Sequence, residues 1–346
     1  LRGEISRDPQ MVVAKIRPLV GSFLNSGDPE IIVAAANLLH QLNMREFNDQ
    51  LDAIYQNKAN GQIRSAILRN LSGLEYAGLV DLIEQGMGDQ NQEVRETALG
   101  MLDKLDISVE DLPKIARPIL EKGSIREQQQ LVTVLGTMPQ EKTQSIFEEI
   151  LERWERGSIS PEVKLDIAEA IDSSKVAPLI QKLESLRSKS TLMDEYAETM
   201  YGGSRREGWR IFNQHATAQC TRCHTLESGD HELSTVGPPL SNVGNILSRK
   251  QILQAIIEPS ARISPGYGVV MLTLVDDEVL TGTLLEEKEN ELVIKANNPE
   301  PIRVQIDRIA KRENLPSSMP AVVSFLSKRE IRDLVEFLAN LKSEEL

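Results

Sequence analysis

Apolar residues recur three and four positions apart through most of the first half of the chain, a spacing that lines them along one face of an α-helix. A repeated phrase opens these runs: an apolar residue, a basic one, then an amphipathic stretch. It reads Ile63-Arg64-Ser65-Ala66, Val94-Arg95-Glu96-Thr97, Ile125-Arg126-Glu127-Gln128 and Val163-Lys164-Leu165-Asp166. Ile31-Ile32-Val33-Ala34-Ala35 opens a matching run without the base. The leading residues lie 32, 31, 31 and 38 positions apart, a period that signals repeat architecture. A cap or turn residue precedes each run, at Asp28-Pro29, Gly61, Asp89, Ser124 and Ser160-Pro161. Second helices are predicted between them, as over 79–85 and 112–120. Stacked helix pairs bury their shared faces against neighbours; an irregular helical bundle is the alternative that the same pattern allows.

The repeats resemble HEAT-type repeats, whose inner helix often carries the Val-Arg phrase, although the period is shorter than the usual HEAT length. Tetratricopeptide and ankyrin arrays match the period better. Their Trp-Leu-Gly-Tyr and Thr-Pro-Leu-His phrases are missing from the sequence. The resemblance implies a HEAT-like helical-repeat domain over 1–188, with its solenoid from about Asp8 to Leu186.

Ser-rich and Gly-rich stretches then mark a linker or cap at 189–204, including Gly202-Gly203-Ser204. Helices are predicted over 205–215 and 249–257, the second stopping before Pro259. The character then changes to β-branched runs bounded by turn residues. Strands are expected at 269–275, 279–285, 291–296 and 302–306, with a turn at Asp276-Asp277-Glu278. They predict a small antiparallel sheet or barrel inserted at about 268–312. Helical spacing returns at Ser327-Lys328-Arg329-Glu330, a capping box, and runs through Phe337 to Leu341. The expected fold is mostly α: a helical-repeat domain, then a helical domain over 205–346 that carries the β insertion.

Composition narrows the functions. The chain has 346 residues, 40% hydrophobic and 26% charged, with a net charge of −13. Residues 1–202 account for −10 of this and residues 203–346 for −3. Such an acidic chain without a Lys/Arg cluster is a poor nucleic-acid binder. Its charge serves solubility or the steering of a basic partner. No run of 18 apolar residues predicts a membrane span. The two cysteines exclude a disulfide-stapled scaffold, a four-cysteine zinc site and a cysteine-ligated iron–sulfur cluster.

Both cysteines sit in Cys220-Thr221-Arg222-Cys223-His224. Cys-x-x-Cys-His is the attachment signature of c-type haem. Two thiols one turn apart can add to the two vinyl groups on one porphyrin edge, and the next residue offers an imidazole to the iron. A thioredoxin-like pair wants a βαβ context, a disulfide would close only a tiny loop, and a zinc site could recruit Cys220, Cys223, His224 and His231. A haem needs a second axial ligand. After residue 205 the methionines are Met271, in a strand pattern, and Met319, in Leu315-Pro316-Ser317-Ser318-Met319-Pro320. Prolines hold that loop extended, which suits presenting one side chain. Met319 is therefore the expected distal ligand, with His215 and His231 as fallbacks and His40 as a repeat-face residue. His224 also needs an acceptor for its Nδ1–H; Gly237-Pro238-Pro239-Leu240 supplies a carbonyl or is a plain turn.

Gly208, Phe212, Cys220–His224, Gly237-Pro238, Met319-Pro320 and Phe337 together resemble a class I cytochrome c. The resemblance implies that the first and last helices cross at Gly208, Phe212 and Phe337, and that Pro238 supplies the carbonyl to the proximal histidine. The longer set is Gly237-Pro238-Pro239-Leu240-Ser241, Ile257-Glu258-Pro259-Ser260, Tyr267, the β insert and Ser318-Met319-Pro320. It resembles the haem-binding domain of planctomycete and verrucomicrobial proteins over about Glu207–Leu341. That family usually ends large secreted proteins, behind helical repeats and often a sugar-dehydrogenase-like propeller, which this chain lacks. It usually has a glycine where this chain reads Asp276-Asp277-Glu278, and a leucine where this chain has Ser318.

The resemblance implies a monohaem electron-transfer module rather than an enzyme. Its partner would be a redox protein or a dehydrogenase domain of the same parent chain. It also implies a periplasmic or otherwise exported bacterial location. Leu1 begins no export signal, so the sequence is expected to be a trimmed piece of a longer chain. Arg249 and Tyr267 are candidate contacts to the haem propionates. A haem enzyme or gas or redox sensor with an exchangeable distal ligand is one alternative function. A repeat-based protein-binding platform is another.

Overall fold

The computed structural model describes residues 9–57, 60–187, 190–226, 236–264, 266–296 and 300–342. It is mostly helical with one small antiparallel sheet. Two compact units separate: Leu1–Ile159 with Asp166–Leu183, and Ser160–Leu165 with Glu184–Leu346. Among the described residues no helix is long and apolar enough to cross a membrane.

In the first unit the helices Pro29–Gln41, Gly61–Gly73, Gln92–Leu99 and Ile125–Leu135 pack each on the next. Asn48–Asn57, Leu79–Met87 and Leu112–Lys122 pack against the last three in turn. The four stacked helices share one N-terminal device. Asp28, Asn60, Asn91 and Ser124 each accept a backbone N–H of the first turn, satisfying a donor that the helix itself cannot. Asn60 and Asn91 fill this role beside the expected Gly61 and Asp89. Asp89 instead accepts the Asn91 N–H at 2.7 Å and pairs with Arg64 at 2.7 Å. The phrase's next base, Arg95, reaches Glu127 at 2.6 Å, whereas Arg126 is exposed. Ser65 meets Thr97, Asn70 donates to Asn37, Arg117 pairs with Glu149 and Arg153 with Glu121. Each of these four partners lies 32 or 33 positions away, close to the sequence period.

The second unit begins with the segment expected as a linker or cap. It folds into Leu192–Glu195 and the short 3-10 turn Ala197–Met200. Leu192, Met193, Tyr196 and Met200 pack against the unit's apolar core. That core joins the helices Arg205–Gln214, Arg249–Ile257 and Lys328–Ala339 through Ile211, Phe212, Ile252, Leu253, Ile256, Val335 and Phe337. Ser204, Ser248 and Ser327 cap these helices, the last two in full capping boxes with Gln251 and Glu330.

Between the second and third of these helices runs a five-stranded antiparallel sheet. Its strands are β1 (Gly268–Leu274), β2 (Val279–Glu287), β3 (Glu291–Lys295), β4 (Ile302–Gln305) and β5 (Ile309–Asn314), in the order β4-β3-β2-β1-β5. Val270, Leu272, Leu274, Leu292, Ile294 and Val304 form its apolar cluster. The first four strands lie where the β-branched runs predict them. β5 was not legible: Ile309-Ala310-Lys311-Arg312-Glu313-Asn314 is polar, largely exposed at an edge, and pairs with the distant β1. At the β1–β2 turn, Asp277 takes φ 63°, a left-handed conformation that Asp tolerates and Gly favours.

Candidate functional site

A 3-10 turn over Cys220–Arg222 winds both cysteines and the histidine into one compact bend. The Cys223 N–H donates to the Cys220 carbonyl at 3.1 Å and the His224 N–H to the same carbonyl at 3.0 Å. Neither cysteine is joined in a disulfide, and both are half-buried. Burial pushes the Cys220 thiol up, with a smaller contribution from Cys223, so it stays protonated at neutral pH.

His224 is held from the following loop. Its Nδ1 lies 2.8 Å from the Pro238 carbonyl. A carbonyl can only accept, so Nδ1 carries the proton and Nε2 keeps its lone pair. Burial pushes the imidazole's pKa down, and the Pro238 bond offsets part of that shift. The ring is therefore neutral at pH 7. Gly237 packs against its edge: a Cβ there would lie 2.8 Å from His224 Cε1 and 2.9 Å from the Cys223 carbonyl oxygen. The Leu240 N–H then donates to the Thr225 carbonyl at 2.9 Å. Gly237 is legible in the sequence only as part of a motif; in the fold its missing side chain makes room for the imidazole.

Met319 is half-buried and borders the same apolar core as Ala218, Cys220, Leu226 and Leu240. Its N–H donates to Ser317 Oγ at 3.2 Å. Met271 instead lies in β1, opposite Thr281 and Glu313. His215 Nδ1 accepts the Thr217 and Ala218 N–H groups, and its Nε2 lies 3.6 Å from Glu330. Both of its nitrogens thus have partners, as expected of an element-terminating residue rather than a ligand. His231 lies outside the described residues. His40 belongs to the first unit, where its ring lies against Gly73.

The helices Arg205–Gln214 and Lys328–Ala339 cross at closest approach over Gly208. A Cβ there would lie 2.0 Å from the Asp333 carbonyl oxygen and 2.6 Å from Phe337 Cβ. One turn on, Phe212 and Phe337 meet with centroids 5.7 Å apart at an interplanar angle of 50°, a favourable tilted geometry. Asp333 locks the same crossing from its other end, accepting the Ser204 N–H at 2.7 Å; no sequence signal marked it. Arg249 pairs with Glu336 at 2.7 Å, donates to the Met200 carbonyl and lies over the Tyr201 ring. Those contacts tie the 190–204 segment to the last helix and account for Arg249 without a ligand. Tyr267 is half-buried just before β1, its N–H donating to the Ser264 carbonyl.

Among the described residues, no three His, Cys, Asp or Glu side chains converge as a metal-ion group. The donor set fits a haem: two thiols and a one-tautomer imidazole on one turn, with a thioether at the rim of the same core. No family model matches the chain, and no curated protein matches it.

Proposed function

We propose that residues 205–346 form a class I cytochrome c-like module that holds one covalent haem c and transfers single electrons, borne on HEAT-like repeats over 1–188. The observation that carries this reading is the bond between His224 Nδ1 and the Pro238 carbonyl. It fixes the tautomer and leaves Nε2 as a neutral donor, the state an iron-binding histidine must have. Cys220 and Cys223 would hold the group through thioether bonds, each thiol proton adding with its sulfur across a vinyl group. His224 Nε2 and Met319 Sδ would be its two iron donors. The bound haem supplies one-electron exchange at iron, and a His/Met pair favours a raised potential. The chain orients the imidazole through Gly237 and Pro238, and Cys220 packs against the core of the crossed helices. Neither His224 nor Met319 leaves an open site for substrate, so the module is read as an electron carrier and not an enzyme. Its partner is a redox protein or a dehydrogenase domain of the parent chain. Its place is periplasmic or otherwise exported, where c-type haem is attached. The equally spaced caps and the contacts one period apart support the HEAT-like reading of the first unit.

Acid–acetone extraction of protein expressed with a haem-attachment system tests the reading. Haem stays with the wild type and leaves with the solvent in Cys220→Ala/Cys223→Ala. Met319→Ala loses the long-wavelength Met–iron band of the ferric protein and turns high-spin. An extractable haem, or no haem at all, overturns the proposal. A high-spin ferric wild type overturns the Met319 assignment and favours a sensor or enzyme with an exchangeable distal site.

A further inference from the structure

We propose that Ser260 and Ser317 are positioning residues that clamp the neck of the β insertion and thereby set the backbone of Met319. The inference rests on Met319 being the distal donor. The chain leaves the helical core after Ile257 and returns at Leu315, having built the whole sheet between. β1 and β5 are the strands that leave and return, and they run side by side: Val270 pairs with Asn314, and the Leu315 N–H donates to the Val269 carbonyl at 2.9 Å. Beyond the last strand pairing, the Ser317 N–H donates to Ser260 Oγ at 3.1 Å. The Met319 N–H donates in turn to Ser317 Oγ at 3.2 Å. This relay runs from the end of the helix that packs in the core, across the neck, to the methionine.

The relay matters because the loop has few amide donors. Pro316 and Pro320 have no N–H. Only Ser317, Ser318 and Met319 between them carry an amide donor, and two of those three donate in the relay. The loop is neither helix nor strand, so its backbone is fixed by such local side-chain bonds. The insertion thus gains a definite role, in which its paired outer strands aim the loop and the two serines close it. Ser260 is exposed, so removing its hydroxyl takes nothing from the core and leaves the fold intact.

The test uses ferric holoprotein titrated with imidazole, which competes with Met319 for iron. Apparent affinity rises with the fraction of molecules whose methionine is away. One net hydrogen bond corresponds to about a 2- to 10-fold change in that equilibrium. Ser260→Ala and Ser317→Ala are expected to bind imidazole about 2- to 10-fold more tightly than wild type, with a melting temperature lowered by no more than a few degrees, and Ser317→Thr to restore the wild-type value. If Met319→Ala alters imidazole binding while both serine variants match wild type, the clamp is wrong and the function stands. If Met319→Ala and wild type bind imidazole alike, the distal assignment falls. Amide exchange at Met319 in the haem-free chain then decides the clamp: faster exchange in Ser317→Ala upholds it, and unchanged exchange overturns it.

Discussion

Gly208→Ala places one methyl group where two helix backbones touch. The new Cβ would lie 2.0 Å from the Asp333 carbonyl oxygen, 2.7 Å from the Asp333 carbonyl carbon and 2.6 Å from Phe337 Cβ. None of these is the free end of a flexible side chain, so the helices must separate by roughly 1 Å, a gap that forfeits up to about half of each dispersion contact across it. Overpacking of this kind costs about 1–3 kcal/mol, and more where backbone cannot yield. Loosening the Phe212–Phe337 pair adds about 0.5–1.5 kcal/mol. Alanine's better helix propensity returns about 1 kcal/mol. The sum spans about 0.5–3.5 kcal/mol; because the blocking atoms include backbone, its upper part, about 2–3 kcal/mol of destabilisation, is expected, confined to the second unit. Hydrogen exchange of the full chain, read separately for 205–214 and 328–339, should quicken roughly 30- to 150-fold where protection reflects opening of this unit. The helices of 29–135 should keep their wild-type rates. Gly21→Ala is the control: it is helical, meets nothing within 4 Å, and is expected to be neutral or stabilising. If Gly208→Ala behaves like Gly21→Ala, the crossing is not a close-packed contact and the argument from the missing side chain fails.

Other perturbations probe the imidazole pocket and the crossing's charge. Gly237→Ala would press a methyl on His224 Cε1 at 2.8 Å and on the Cys223 carbonyl; ring NMR shifts of His224 should move, and unchanged shifts would refute the cradle. Pro238→Ala keeps the carbonyl but frees its φ, so the Nδ1 hydrogen bond should persist with faster exchange of its proton. Burial, chiefly, raises the Asp333 carboxyl above its ordinary value, against the favourable Ser204 N–H. A raised acid is penalised when ionised, so the stability tied to it is full below about pH 3.8 and is lost as pH rises through the folded-state value. Asp333→Asn keeps an acceptor for Ser204 and should melt higher than wild type at pH 7, with the difference vanishing toward pH 3.5; a lower melting temperature at pH 7 would show that the charge itself holds the cap.

Local patterns were legible wherever the chemistry is local. The helical period, the caps at Asp28, Ser124 and Ser327, and four of the five strands could be read because each depends on neighbours within a few residues. The Cys220–His224 turn was legible for the same reason: thiols and imidazole lie within one bend of chain. β5 escaped because its partner is β1, some forty positions earlier, and its exposed edge position imposes no apolar alternation. The segment 190–204 has a linker's composition, yet Leu192, Met193, Tyr196 and Met200 find a core to pack on.

The groups available are written in the residues: two thiols, one adjacent imidazole, a methionine before a proline in the second unit, and the glycines that permit close approach. Their arrangement is a product of the folded chain. The Gly237-Pro238 loop reaches His224 across the stretch between them and selects a tautomer, a choice that depends on a 2.8 Å contact and not on spacing. Asp333 reaches Ser204 across 129 positions because two helices cross at a residue without a side chain. Two serines 57 positions apart meet because a sheet folds the chain back on itself. Such contacts are set by chain reversal and close packing, which no local pattern encodes.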